Sequence, residues 1–211
     1  MKAPATATDG RALRAPRDHA RAAPAGEARV VLAYGSTFGD TAEAAERIAA
    51  AFSERTGTTP EMRDVAHATL AEVASFDVLV LGCSTWNVGE LQSDWDVRLA
   101  EFASVDLRGK KVALFGTGDQ YGYPDTFMDA LGILADAAGE RGAEMIGSWP
   151  AAGYTFDGSL ALREGRFVGL ALDATNQDDL TDGRIGRWVA QLADELAIAS
   201  EGVPAVIPSG A

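Results

Sequence analysis

Short, unbroken apolar runs separated by stretches of helical spacing constrain this chain more than any other feature of it. Residues 77–83 read DVLVLGC, nearly continuous apolar residues over the length of one strand. A strand wetted on one face alternates apolar and polar side chains, so an unbroken run fits a strand covered on both faces, the habit of parallel sheets. Residues 28–34 and 110–116 read the same way, and a shorter strand is expected near 61–65. A fifth begins over 143–149, breaks at a stretch rich in Gly, Asp and aromatics over 150–165, and resumes over 166–173.

Between these runs the spacing turns helical. Ala45, Ile48, Ala49 and Phe52 predict a helix over 41–56, and shorter ones are expected over 70–75 and 93–102. Phe127, Leu131 and Leu134 predict another over 125–141, with Gly142 as its stop; Ile185, Trp188, Val189, Leu192 and Leu196 predict the last, over 180–198. Buried strands joined by helices imply an α/β fold, a doubly wound five-stranded parallel sheet with an insertion in strand five, because parallel neighbours need crossover connections. Ligands of such sheets bind outside the carboxyl ends of the strands, which selects the loops 35–41, 84–92 and 117–124.

The first of these loops reads Gly35-Ser36-Thr37-Phe38-Gly39-Asp40-Thr41. A glycine- and hydroxyl-bearing turn between a strand's end and a helix's start gathers free N–H groups at the positive end of a helix dipole, which suits a phosphate. An ordinary strand-to-helix turn is the competing reading, with Asp40 as N-cap and Glu43 completing a capping box. The second loop carries Trp86 and the third Tyr121 and Tyr123. An anion site beside aromatics on two neighbouring loops is what a flat, phosphorylated heteroaromatic needs, and flavin mononucleotide (FMN) fits that description.

Charge and cysteine usage narrow the partners. Eighteen Lys and Arg stand against 31 Asp and Glu, a net of −13, which argues against nucleic acid or an anionic membrane and for basic protein partners. Residues 1–28 are two charges positive, five basic groups against three acidic, which leaves the rest of the chain at −15. This leader lacks the apolar core of a secretory signal and is read as a disordered tail, and residues 200–211 as a flexible end; 29–199 is the expected domain. The single cysteine, Cys83, excludes an internal disulfide framework and fits a reducing, cytoplasmic setting. It ends a buried strand, as an inert thiol. His19 and His67 stand far apart with no cysteine cluster, so no metal site is expected.

Four stretches give the chain a specific resemblance to the long-chain flavodoxins. They are the 35–41 turn; residues 82–95, GCSTWNVGELQSDW; residues 116–123, GTGDQYGY; and Phe167 onward through Asn176, Gln177, Thr181 and Trp188. The match spans about residues 29–196, and the break at 150–165 is that subgroup's mark. The resemblance implies a flavodoxin-like sheet of strand order 2-1-3-4-5. It implies phosphate donors at Ser36, Thr37, Gly39 and Thr41, with Asp40 in the same turn. Trp86 is similar to the residue covering the inner flavin face and Tyr123 to the one stacking on the outer face. Asn87 resembles the position whose carbonyl turns towards flavin N5 on one-electron reduction, and Asp119 the residue near the pyrimidine edge. Thr85, Gly89 and Thr117 complete the expected cofactor-binding set.

Two positions depart from the family pattern. Phe38 removes a hydroxyl from the turn, and Asp40 places a carboxylate where the family has a neutral or basic residue, a repulsion it can avoid by capping the helix and pointing outward, so FMN binding is expected to survive in weakened form. The Val97-Arg98 pair also differs, with consequences for packing. The implied function is a low-potential one-electron carrier, not an enzyme, shuttling its FMN between semiquinone and hydroquinone. It would act as a monomer with a ferredoxin-NADP reductase-like donor and low-potential acceptor enzymes. A flavodoxin-like FMN-dependent NAD(P)H quinone reductase is the alternative, and a flavin-free receiver module a further one, although the end of the first strand offers no acidic cluster for it.

Overall fold

The computed structural model describes residues 28–197. Apart from residue 28 itself, the tails expected at 1–28 and 200–211 lie outside the described residues, as does residue 198 of the final helix foreseen over 180–198, which ends at Glu195 with Ala197 at a φ of 53°. The chain runs β1 (Val30–Tyr34), α1 (Asp40–Thr56), β2 (Glu61–Asp64), α2 (Leu70–Val73), β3 (Val78–Trp86), β4 (Glu90–Leu91), α3 (Ser93–Leu99) and β5 (Lys111–Thr117). It continues with α4 (Asp129–Glu140), β6 (Glu144–Ile146), β7 (Trp149–Pro150), β8 (Leu162–Arg163), β9 (Arg166–Phe167), β10 (Leu170–Leu172), α5 (Ala174–Gln177) and α6 (Thr181–Glu195).

The central sheet has the order β2-β1-β3-β5-β10, with β6 also paired to β5, and every pairing along it is parallel. The middles of its interior strands are fully buried: Val31, Leu32 and Ala33 of β1, Leu79 and Leu81 of β3 and residues 112–115 of β5 are at 0% exposure. That is the burial the unbroken apolar runs require. The interrupted fifth strand is one strand in space. β6 pairs with 111–113 and β10 with 115–117 along the same edge of β5, so the two pieces share a line. The segment between them folds into a small antiparallel sheet, β7-β9-β8, whose Phe167 joins Phe127, Tyr154 and Phe156 in an aromatic cluster. The sheet therefore has the expected 2-1-3-4-5 order once β6 and β10 are counted together.

Several boundaries differ from the sequence expectation; in the fifth strand, Trp149 of the expected 143–149 and Arg166–Phe167 of the expected 166–173 belong to the small antiparallel sheet. β3 runs on to Trp86 and turns back through β4, with Thr85 opposite Leu91 and Trp86 opposite Glu90, so the first part of the expected 84–92 loop is a hairpin. Polar Ser84 and Thr85 hid this extension because they are half-buried at the sheet's end. The helix expected over 125–141 begins as a single 3₁₀ turn, Pro124–Thr126, and starts properly only at Asp129, after Met128 takes a φ of 64°. The helix expected over 93–102 becomes α3 followed by a 3₁₀ turn, Ala100–Ser104.

Candidate functional site

At the carboxyl end of the sheet, the loops after β1, β3, β5 and β10 line an open cleft of about 190 Å³. Ser36, Thr37, Phe38, Asp40 and Thr41 form one end. Ser84, Thr85 and Trp86 form a wall, and Thr117, Gly118, Asp119 and Tyr123 face it from the third loop.

The first loop is built to leave donors free. Gly39, at φ 106°, is the residue before α1, and no side chain caps the helix. The expected N-cap role of Asp40 is thus corrected: Asp40 is the first helical residue, and the Glu43 carboxylate pairs with Arg47 instead of closing a capping box. The reason is conformational, because a positive φ at the cap position suits glycine and no carboxylate is placed to reach back. The N–H groups of Asp40, Thr41 and Ala42 consequently have no partner among the hydrogen bonds of the described residues, while the Gly39 N–H donates to Ser36 Oγ at 3.2 Å. A Cβ built on Gly39 meets nothing within 4 Å, so space remains in front of these donors. An α1 of 17 residues adds its dipole, and the whole constitutes an anion seat.

Neighbouring elements hold that seat in place. Thr41 is 2% exposed and its Oγ1 lies 3.1 Å from Thr117 Oγ1, which ties the first loop to the end of β5. Gln92, fully buried, caps α3 by accepting from the Asp94 and Trp95 N–H groups, and its Nε2 donates to Thr37 Oγ1 at 3.2 Å. Gly35 allows this contact, since a Cβ there would stand 2.2 Å from Gln92 Oε1. Gln92 was not singled out by the sequence reading. The polar residue before an α3 whose first turn carries Asp94 and Asp96 was the available signal.

The aromatic wall is divided between two loops. Trp86 is half-buried and donates its indole N–H to Ser84 Oγ at 2.8 Å. Tyr123 is 55% exposed and Tyr121 62%, so neither is a core residue, whereas Trp95 and Trp188 are fully buried and Trp149 nearly so, as packing side chains. Trp86 and Tyr123 make no ring contact with each other, which leaves the space between them open. Trp86 instead meets Phe38, with ring centroids 5.5 Å apart and planes 28° apart.

Asn87 and Gly89 stand outside the cleft wall, in the tight turn joining β3 to β4. Both have positive φ, 46° and 88°, as three-residue hairpin loops often require. No hydrogen bond engages the Asn87 carbonyl among the described residues. Asp119 closes its own loop, accepting from the N–H groups of Tyr121 and Gly122 and from Asn176 Nδ2. The Gly122 N–H, aided by Asn176, holds its carboxyl below the usual carboxylate range, so it stands in the wall as an anion.

Asp40 remains beside the site. It is exposed and lines both the cleft and the smaller pocket beside it. Phe38, Ser84, Gly118, Ala174 and Thr175 also line the cleft without having been selected as site residues. The last two belong to the start of α5, directly after β10, and the carboxyl-end rule applied to the split fifth strand would have found them.

Outside the cleft, Cys83 is buried and its thiol is pushed up to about 12 by burial, which fits an unreactive core sulfur. Among the described residues no group of His, Cys, Asp and Glu side chains is placed to hold a metal ion, and no helix is long and apolar enough to cross a membrane.

With the geometry established, comparison with known proteins gives a consistent result. The Flavodoxin family profile matches residues 32–188. A flavodoxin of Nostoc sp. is 48% identical over 170 residues, which cover 81% of this chain and 98% of that protein. Flavodoxin 1 of Azotobacter vinelandii is 40% identical over 169 residues, covering 79% of this chain and 97% of that one. The solved structure of Fusobacterium nucleatum flavodoxin bound to flavin mononucleotide matches with a TM-score of 0.76 at 27% identity, over 80% of this chain and 99% of that chain.

Proposed function

The chain belongs to the flavodoxin family, and from that premise we propose that it carries single electrons at low potential between redox proteins, with FMN held in the cleft at the carboxyl end of the sheet. One observation carries this reading. The uncapped start of α1 and the separated rings of Trp86 and Tyr123 open onto the same cleft, so an anion seat and a planar slot adjoin. The donor set fits a phosphate monoester, with hydroxyls from Ser36, Thr37 and Thr41 and the N–H groups that begin α1.

When bound, FMN supplies the redox chemistry, taking up and returning one electron at a time. The protein's part is to bind, orient and bias. Trp86 and Tyr123 would flank the ring and keep water from its faces, and Thr85, Thr117 and Gly118 would line the passage between ring and phosphate. The free Asn87 carbonyl, in the turn directly after Trp86, would offer an acceptor for a proton at the ring's edge were that turn to bring it to the cleft. Asp119, anionic within its ring of donors, and the chain's net −13 disfavour further negative charge between the two aromatic faces, which lowers the potential of electron uptake.

We place the FMN-binding unit at residues 29–199, acting as a cytoplasmic monomer. A ferredoxin-NADP reductase-like donor and low-potential acceptor enzymes complete the proposal. Negative surface charge steers such a carrier towards basic docking faces. The test is a coupled assay with purified FMN-loaded protein, a ferredoxin-NADP reductase and a one-electron acceptor. Electron flow that requires both the reductase and this protein supports the carrier. Rapid NADPH oxidation by the protein alone would assign it instead to the quinone reductases.

A further inference from the structure

Phe38 is anomalous in its own loop. Ser36, Thr37 and Thr41 around it all carry hydroxyls, yet the Phe38 side chain brings no hydrogen-bond donor to the anion seat and the residue stands 83% exposed. Its ring is not idle. It stacks on Trp86, 48 residues away in sequence, at 5.5 Å and 28°, and both rings line the same cleft. The loop that grips the anion therefore also supports the ring wall, and an aromatic contact takes the place of a phosphate donor.

Resting on the flavin reading above, we infer that Phe38 sets ligand selectivity. It shifts binding energy from the phosphate end of the cleft to the ring end, so that the site distinguishes FMN from its phosphate-free counterpart, riboflavin, less sharply than a hydroxyl at this position would. Two physical terms act in the same direction. Phe38 steadies the Trp86 ring on which a planar ring rests, a contribution that FMN and riboflavin share equally. A threonine in its place would add a donor that only the phosphate can use.

The test measures FMN and riboflavin affinities of the apoprotein by quenching of flavin fluorescence, for the natural chain, Phe38→Thr and Phe38→Tyr. Near-UV circular dichroism of each apoprotein reports the ring pair without any ligand. Phe38→Thr is expected to weaken riboflavin binding while sparing or tightening FMN, widening the FMN-to-riboflavin affinity ratio by about fivefold or more. It should also remove near-UV signal from the apoprotein. Phe38→Tyr keeps a ring at the position and is expected to hold both the ratio, within about twofold, and the near-UV signal. A ratio that Phe38→Thr leaves unchanged within about twofold would overturn the inference, whether the two affinities stay put or fall together. Failure of the natural chain to bind FMN would instead overturn the flavin reading, and the near-UV comparison would still test the Phe38–Trp86 contact.

Discussion

The hydroxyls of Thr41 and Thr117 lie 3.1 Å apart, on the first turn of α1 and the last residue of β5, and join two loops that are 76 residues apart in sequence. Thr41 is 2% exposed, so its hydroxyl has no bulk water to fall back on. Thr41→Val preserves shape and removes the bond, leaving Thr117 Oγ1 without this partner. The expected loss is about 1 kcal/mol of stability in urea unfolding, the net worth of one such bond, since half-buried Thr117 lines the open cleft and water can replace its partner. FMN affinity should fall with it, and Thr41→Ser should restore both.

Asp40 lines the cleft at its phosphate end with no basic partner among the described residues. A carboxylate there opposes a phosphate, and solvent exposure keeps the effect moderate. Asp40→Asn is expected to tighten FMN binding by about two- to fivefold, the scale of exposed charge pairs. Added salt screens the repulsion, so FMN affinity of the natural chain should rise with ionic strength, more steeply than in Asp40→Asn. Titrations at low and high salt check both.

Gly39 holds a φ of 106° with open space where a Cβ would project. Any penalty of Gly39→Ala is then one of backbone conformation, without crowding. The variant is expected to lose about 1–2 kcal/mol, the cost of left-handed geometry for an L-residue, and to weaken FMN more than riboflavin because the distorted turn is the phosphate end. Urea unfolding and paired titrations measure these separately.

Asp119 gives the third loop a dependence on pH. Its carboxyl is held below the ordinary range chiefly by the Gly122 N–H, so the folded state favours the anion. The stability this contributes is complete above the ordinary carboxylate value, about 4, and is lost as pH falls through the lower folded value. Asp119→Asn should therefore unfold at lower urea than the natural chain at neutral pH, with the difference narrowing below about pH 4. A difference independent of pH would show that the carboxylate's charge is not what holds the loop.

Legibility in the sequence followed burial. β1, β3 and β5 were readable because strands covered on both faces admit little but apolar residues, and the split fifth strand because residues 150–165 change composition abruptly. The β3–β4 hairpin was not, since Ser84, Thr85 and Trp86 serve the cleft more than the core and carry no apolar signature. The start of α4 was misplaced because Phe127 and Met128, both buried, continue the helical spacing of the residues after them while Met128 breaks the backbone. Asp40 and Glu43 satisfied a capping-box pattern, but hydrogen-bond geometry, which a pattern does not carry, put Gly39 at the cap. The roles of Gln92 and the Phe38–Trp86 contact depend on loops meeting across the top of the sheet, and local spacing holds no trace of such meetings.

The most direct measurement of the central claim is a titration of apoprotein with FMN, followed by quenching of flavin fluorescence, for the natural chain, Trp86→Ala and Tyr123→Ala. Single-site binding is expected, with each substitution weakening it by about tenfold or more, on the scale of about 1–3 kcal/mol for an aromatic face stacked on a heterocyclic ring. Unchanged affinity in both variants, or no saturable binding by the natural chain, would contradict a flavin held between Trp86 and Tyr123 with its phosphate at the start of α1.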